Sequence, residues 1–317
     1  MTNSSDISRR FWNLPQKGQE EDAREEQFID DIIQKAHIER LILENLEGID
    51  TVFDGGAGSG RFSILLAERG LRVTHFDISQ PMLDKAKERA AQRGVLDRMT
   101  FVQGKLEDLS AYEDGVFDLV LSFDAPISYT YPHQEEVIAS LARIAKKKVI
   151  LSVAGQLGWI PYLFNPAQKE QYIIDESSAD PFVRWTFDAA LPSLADFKPD
   201  MRAVRKTYAT QTMQDLPDAL AAYDAGETAW PHTYAFFPDE LEDIMLRCGL
   251  TNIRLSGPGA LSRSIPREVL LNIMRDDEQK RDFLDFCYTY DSNRFCAGMG
   301  KDNLVACADV EKKAEYA

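Results

Sequence analysis

The sequence predicts an α/β fold: a doubly wound, seven-stranded, mostly parallel sheet with helices on both faces and an inserted, mainly helical cap. Three observations carry this expectation. From residue 50 to about 155, short apolar runs alternate with amphipathic segments, the rhythm of βα units stacked into a parallel sheet. The first apolar run, "TVFD", empties into the turn "GGAGSG". The rhythm then breaks over residues 156–235 and resumes beyond them.

Ahead of the sheet, residues 22–46 carry Phe28, Ile29, Ile32, Ile33, Ala36 and Leu43 at helical spacing, with acids in the first turns, which favours a helix there. Residues 1–48 are therefore a helical N-terminal segment, and Phe11 and Trp12 belong either to a frayed tail or to a lid. Strand "TVFD" leads to a helix from about Ser59 to Arg69, closed by Gly70, and strand "RVTHFD" to a helix opened by Pro81 and closed by Gly94. "MTFVQG" and "VFDLVLSFD" are the third and fourth strands, "HQEEVIASLARIA" a helix, and "KKVILSVA" a fifth strand apolar on both faces, as burial between two helix layers requires. Residues 49–155 form this core.

Residues 156–235 are dense in aromatic side chains, broken by prolines and without βα rhythm, and are the cap. Residues 236–310 complete the sheet through a helix at "PDELEDIMLRCG", a strand at "TNIRLSG", a helical insert around 266–288 and a last strand, "NLVACADV". Residues 311–317 are a solvated tail.

Hydrophobic residues at 44% and charged residues at 28% fit a folded, water-soluble chain. The net charge of −16 repels nucleic-acid backbones and anionic membranes, so the expected partner is a small molecule, not a nucleic acid or a membrane. The stretch "MTNSSDISRRFWNLPQ" lacks a signal-like apolar core, and no apolar run is long enough to span a bilayer, which predicts a cytoplasmic protein. Cys248, Cys287, Cys296 and Cys307 lie far apart without CxxC spacing and read as free thiols. His37, His75, His133 and His232 are scattered, so no metal site is expected. A homodimer is the assembly left open.

Three nucleotide-binding turns compete for residues 54–61. A P-loop needs Lys and then Ser or Thr after its second glycine; Gly55 and Gly60 have the gap, but Arg61 and Phe62 follow. A dinucleotide fingerprint begun at Gly56 and Gly58 places its third glycine on Arg61, which weakens it. What remains is D-x-G-x-G-x-G, supplied by Asp54, Gly56, Gly58 and Gly60. This resembles motif I of the class I S-adenosylmethionine-dependent methyltransferases, whose glycines let the backbone approach the methionine part and the ribose. The resemblance covers roughly residues 50–155 and the final helix and strands.

It implies S-adenosyl-L-methionine as cofactor and S-adenosyl-L-homocysteine as product, with Asp54, Gly55, Gly56, Gly58 and Gly60 at the turn. Asp77, nineteen residues beyond Gly58, is then the acceptor for both ribose hydroxyls, and Ile78, Ser79 and Met82 line one side of the adenine. After the third strand the family often has Gly-Asp-Ala, but "GKLEDL" puts Lys105 in the acid's place. The adenine contact then passes to the backbone of Leu106, or to Glu107 or Asp108. Backbone groups of Ser122 and Phe123 face the methionine end. "DAPI", residues 124–127, loosely resembles the Asp/Asn-Pro-Pro-Tyr turn that grips a flipped base, but its second proline and aromatic are missing.

Displacement of a methyl from a sulfonium asks the protein to align the reactants and exclude water. An amine or hydroxyl acceptor also sheds a proton, and Asp124, Tyr129 and His133 on the loop after the fourth strand are the candidate bases. Tyr162, Asn165, Trp185, Trp230, His232 and Tyr234 of the cap are candidates for the acceptor pocket, since aromatic faces shape an apolar cleft and attract cations. Arg184, Arg202, Arg205, Arg263 and Arg267 are candidates for receiving a carboxylate or phosphate. Each has a plainer reading, a ring packed in the cap core or a solvated arginine. The expected function is methyl transfer to a small-molecule acceptor. Two alternatives stay open: cyclisation of the cofactor with release of methylthioadenosine, and a non-catalytic sensor or scaffold, for which Lys105 is the support.

Overall fold

The computed structural model describes residues 4–15, 17, 27–164, 197–214, 216–226, 230–300 and 303–311. Its strands are β1 (Thr51–Gly55), β2 (Arg72–Asp77), β3 (Met99–Gln103), β4 (Phe117–Ser122), β5 (Ala145–Ala154), β6 (Thr212–Gln214), β7 (Thr233–Tyr234), β8 (Leu250–Ser256) and β9 (Asn303–Val310). Its helices are α1 (Ser4–Trp12), α2 (Ile29–Leu43), α3 (Arg61–Glu68), α4 (Gln80–Gln92), α5 (Gln134–Ile144), α6 (Gln156–Trp159), α7 (Met201–Thr210), α8 (Leu216–Asp224), α9 (Pro238–Arg247), α10 (Arg267–Met274) and α11 (Asp277–Asp291).

The main sheet has seven strands in the order β3-β2-β1-β4-β5-β9-β8. Strands β1 to β5 pair in parallel, and β9 runs antiparallel between β5 and β8. Side chains alternate between two cores, as the two-residue period of a strand demands. Phe53, Val120, Val149 and Leu151 enter one core with Leu141, Phe236 and Met245. Val52, Leu119, Leu121 and Ile150 enter the other with Ile42, Phe62 and Leu66. With helices on both faces, β5 is buried throughout Val149–Val153.

Helix starts and stops follow their local chemistry. Gly60, at φ +89°, delays α3 to Arg61, two residues later than expected. Ser79 caps α4 by accepting from the Met82 N–H, with Pro81 in the first turn. The insert near 266–288 is the helix pair α10 and α11, whose Leu270, Leu271, Met274 and Cys287 pack on Ile29 and Ile33 of α2. The described part of residues 156–235 holds α6, α7 and α8, and also a small antiparallel pair, β6–β7, which a mainly helical cap did not anticipate. Ser4–Trp12 is a helix with Ile7 and Phe11 buried. No helix among the described residues is long and apolar enough to cross a membrane.

Candidate functional site

Strand order reverses between β1 and β4, and the crevice outside the carboxyl ends of such strands is where ligands sit in open α/β sheets. The glycine turn lies at this point. Gly56 and Ala57 donate to the Phe76 carbonyl at 2.8 and 3.2 Å, tying the turn to β2. Gly56 and Gly58 adopt φ of +71° and +55°, conformations that favour glycine. A Cβ on Gly56 would stand 2.6 Å from Pro126, whereas a Cβ on Gly58 would meet nothing within 4 Å. One glycine permits close packing; the other borders open space.

Asp77, at the end of β2, is buried beside that space. Its Oδ2 accepts from the Gly58 N–H and its Oδ1 from the Ser79 N–H, both at 2.8 Å, and a carboxylate so used retains lone pairs for further donors. Burial raises its pKa to about 6 despite these bonds. Asp54 turns the other way, into the protein. It accepts from the Ser63 hydroxyl at 2.6 Å, and the same hydroxyl lies 2.9 Å from Nδ1 of buried His75. Burial first, and the nearby charges of Asp77 and Asp124 after it, raise Asp54 to about 6 as well.

A pH dependence follows. A carboxyl whose folded pKa is raised stabilises the fold fully below its unfolded pKa, near 4, and loses that contribution as pH rises through about 6. The stability of Asp77→Asn relative to wild type is therefore expected to increase between pH 4 and pH 7, by about 2–3 kcal/mol. Urea melts of both proteins at several pH values measure this; a difference independent of pH would contradict it.

Helix α1 covers the crevice on the side of Ser79 and Lys105. The Ser79 hydroxyl donates to the Trp12 carbonyl at 2.9 Å, Lys105 pairs with Asp6 at 2.9 Å, and the Ser5 hydroxyl donates to Glu107. Lys105 thus has an acid to meet, on a helix 99 residues away in sequence. Leu106 packs in the core beside Phe53, and Asp108 turns to the hydroxyl and N–H of Ser110. Met82 is buried, and the Ile78 carbonyl accepts from Gln103 at 3.2 Å.

At the end of β4, Ser122 Oγ is buried without a hydrogen-bond partner, and Phe123 packs on Phe62 with ring centroids 5.0 Å apart. Asp124 and Ala125 follow with φ of +64° and +62°, costing on the order of 1–2 kcal/mol each for non-glycine residues. Two groups from α2 hold the Asp124 side chain: Lys35 in an ion pair, and Gln34 Nε2 at 3.4 Å. Its N–H donates to the Ser152 hydroxyl at 3.0 Å. Tyr129 is buried on the same loop, 6.2 Å from the Trp12 ring. His133 stands apart at the start of α5, its side chain 53% exposed near Glu136.

Aromatic groups from α1, the loop after β4 and residues 230–234 meet one another. Trp230 lies 4.9 Å from Phe11 and 6.3 Å from Trp12. Tyr131 contacts His232 at 4.8 Å and stacks on Tyr234 at 6.1 Å, and the Tyr234 hydroxyl donates to Glu240 at 2.5 Å. The Arg263 guanidinium sits 4.9 Å from the Tyr162 ring centroid. Arg202 and Arg205 are exposed on α7. Asn165, Trp185 and Arg184 lie outside the described residues. Sequence reasoning assigned no role to Asp6, Gln34 or Lys35, and left Trp12 between a tail and a lid. For Asp6 the one available signal was Lys105 itself, a cation in want of a partner.

The residues present fit S-adenosylmethionine. Open space borders Gly58, a buried carboxylate with spare lone pairs stands beside it, and the buried atoms Gln34 Oε1 and Ser122 Oγ have no partner. Among the described residues no cluster is placed to hold a metal ion.

Residues 52–148 match the family model described as "Methyltransferase domain". The tRNA 5-carboxymethoxyuridine methyltransferase of Escherichia coli (strain K12) is 39% identical over 70 residues, 22% of this chain and 27% of that protein. The chloroplastic magnesium protoporphyrin IX methyltransferase of Arabidopsis thaliana is 39% identical over 111 residues, 35% of this chain and 34% of that protein. The chain thus spans about a quarter to a third of the length of these curated relatives. The structure of Haemonchus contortus phosphoethanolamine N-methyltransferase 2 in complex with S-adenosyl-L-methionine shares the fold. Its TM-score is 0.52 at 17% identity, over 99% of this chain and 61% of that one.

Proposed function

We propose, from the premise that residues 52–148 are a class I S-adenosylmethionine-dependent methyltransferase domain, that this protein transfers a methyl group to a small-molecule acceptor by direct displacement. The observation that carries the reading is the open space at Gly58, with the Asp77 carboxylate on one side and the Asp124–Tyr129 loop, beneath the rings of Trp12 and Trp230, nearby. When bound, the cofactor supplies a methyl on a sulfonium centre. Asp77 accepts from the ribose hydroxyls, and Ile78 and Met82 flank the base. The glycine turn lets the backbone approach, and the Trp12, Tyr129 and Trp230 rings exclude water from the transfer. Asp124 or Tyr129 receives the proton of an amine or hydroxyl acceptor. His133, on the exposed rim, contributes less to this reading.

A small acceptor suits a crevice covered by α1, and the net charge of −16 opposes a polyanionic one. Mass spectrometry of the protein incubated with S-adenosylmethionine and a metabolite extract tests the proposal. S-adenosylhomocysteine together with a metabolite heavier by one methyl is expected. Methylthioadenosine alone would replace transfer by cyclisation, and an unconsumed cofactor would leave binding without catalysis.

A further inference from the structure

We infer that Lys35 and Gln34 of α2 form the socket for the aminobutyrate end of the cofactor, Lys35 receiving its carboxylate and Gln34 Oε1 its ammonium. The inference rests on the methyltransferase reading and names residues outside the glycine motif.

Both side chains stand at the crevice although they precede β1 in sequence. Lys35 reaches Asp124 past the end of β4, and its ammonium lies 5.5 Å from the ring centroid of Phe62, the second residue of α3 after the glycine turn. Gln34 Nε2 points to the same Asp124 carboxylate. This places α2 beside the turn and the β4 terminus together.

Lys35 is 2% exposed and Gln34 is fully buried. An ammonium carries three N–H donors, and its ion pair with Asp124 leaves donors for a second anion. Gln34 Oε1 is a buried carbonyl oxygen with no hydrogen-bond partner. An orphan of this kind costs on the order of 1–3 kcal/mol and calls for a specific explanation, such as a ligand that satisfies it. A zwitterionic amino-acid arm matches this set. Its carboxylate needs a cation, and its ammonium needs a neutral or negative acceptor; Lys35 supplies the first, Gln34 Oε1 and the neighbouring Asp124 carboxylate the second. A purely structural Lys35–Asp124 pair leaves the Gln34 oxygen unexplained.

The test compares two nucleosides by calorimetry. S-adenosylhomocysteine carries the aminobutyrate arm; methylthioadenosine has the same nucleoside and no arm. Wild type is expected to prefer the first. Lys35→Met is expected to weaken S-adenosylhomocysteine by about 10- to 100-fold, the range of a hydrogen bond to a charged group, with methylthioadenosine unchanged within about twofold. Gln34→Leu is expected to act in the same direction with a smaller loss. Because Lys35→Met removes the cation that pairs with Asp124, wild type is also titrated with decarboxylated S-adenosylmethionine, which needs no variant. Weaker binding than S-adenosylmethionine is expected.

Equal losses for both nucleosides in the variants, or no loss in either, would overturn the socket. So would undiminished binding of the decarboxylated cofactor to wild type. Failure of wild type to bind S-adenosylhomocysteine at all would instead overturn the methyltransferase reading beneath it.

Discussion

Asp77→Ala is expected to weaken S-adenosylhomocysteine binding by about 100-fold or more while the protein stays folded. Hydrogen bonds from two ribose hydroxyls to a carboxylate are worth about 1.5–3 kcal/mol each, and the substitution removes both. The fold survives because two effects oppose each other. The variant strands the N–H groups of Gly58 and Ser79, which now donate to Asp77. It also removes a buried carboxyl that at neutral pH is ionised against its environment, its pKa raised to about 6 by burial. Calorimetry measures the first effect and a urea melt the second. Full retention of affinity would remove Asp77 from the cofactor seat.

The second large effect separates two glycines of one turn. Gly56→Ala is expected to cost about 2–5 kcal/mol of stability. A left-handed φ in a residue with a side chain contributes about 1–2 kcal/mol, and overpacking against Pro126, 2.6 Å away, about 1–3 kcal/mol. Gly58→Ala carries the conformational cost alone, since its new methyl meets nothing within 4 Å. That methyl enters the space assigned to the cofactor, so nucleoside binding is expected to fall about tenfold or more, the scale of one misplaced methyl in a fitted pocket. Denaturation and calorimetry on both variants give the comparison. The reverse order, with Gly58→Ala the less stable and Gly56→Ala the weaker binder, would contradict the assigned direction of the turn.

The sheet was legible because its signal is local. Each strand's apolar run and each helix's period lie within about a dozen residues, and Gly70, Ser79 and Gly94 punctuate them. The glycine turn and Asp77 were legible for the same reason, as a spacing within β1–β2. What escaped was contact at long range. Lys35 meets Asp124 across 89 positions, and Lys105 meets Asp6 across 99; no periodicity encodes either pairing. Strands β6 and β7, three and two residues long, are too short to show alternation. Asp54 illustrates a subtler limit. Its place in the motif was plain, but its partners Ser63 and His75, buried on α3 and β2, emerge only when those elements pack together.

That the turn at residues 54–60 and the Asp77 carboxylate seat S-adenosylmethionine is the proposal on which the other roles depend. A crystal structure of the protein grown with S-adenosylhomocysteine tests it most directly. The expected result is ribose hydroxyls on Asp77, backbone approach at Gly58, and adenine beside Ile78 and Met82. A nucleoside bound elsewhere, with the space at Gly58 still open, would contradict it.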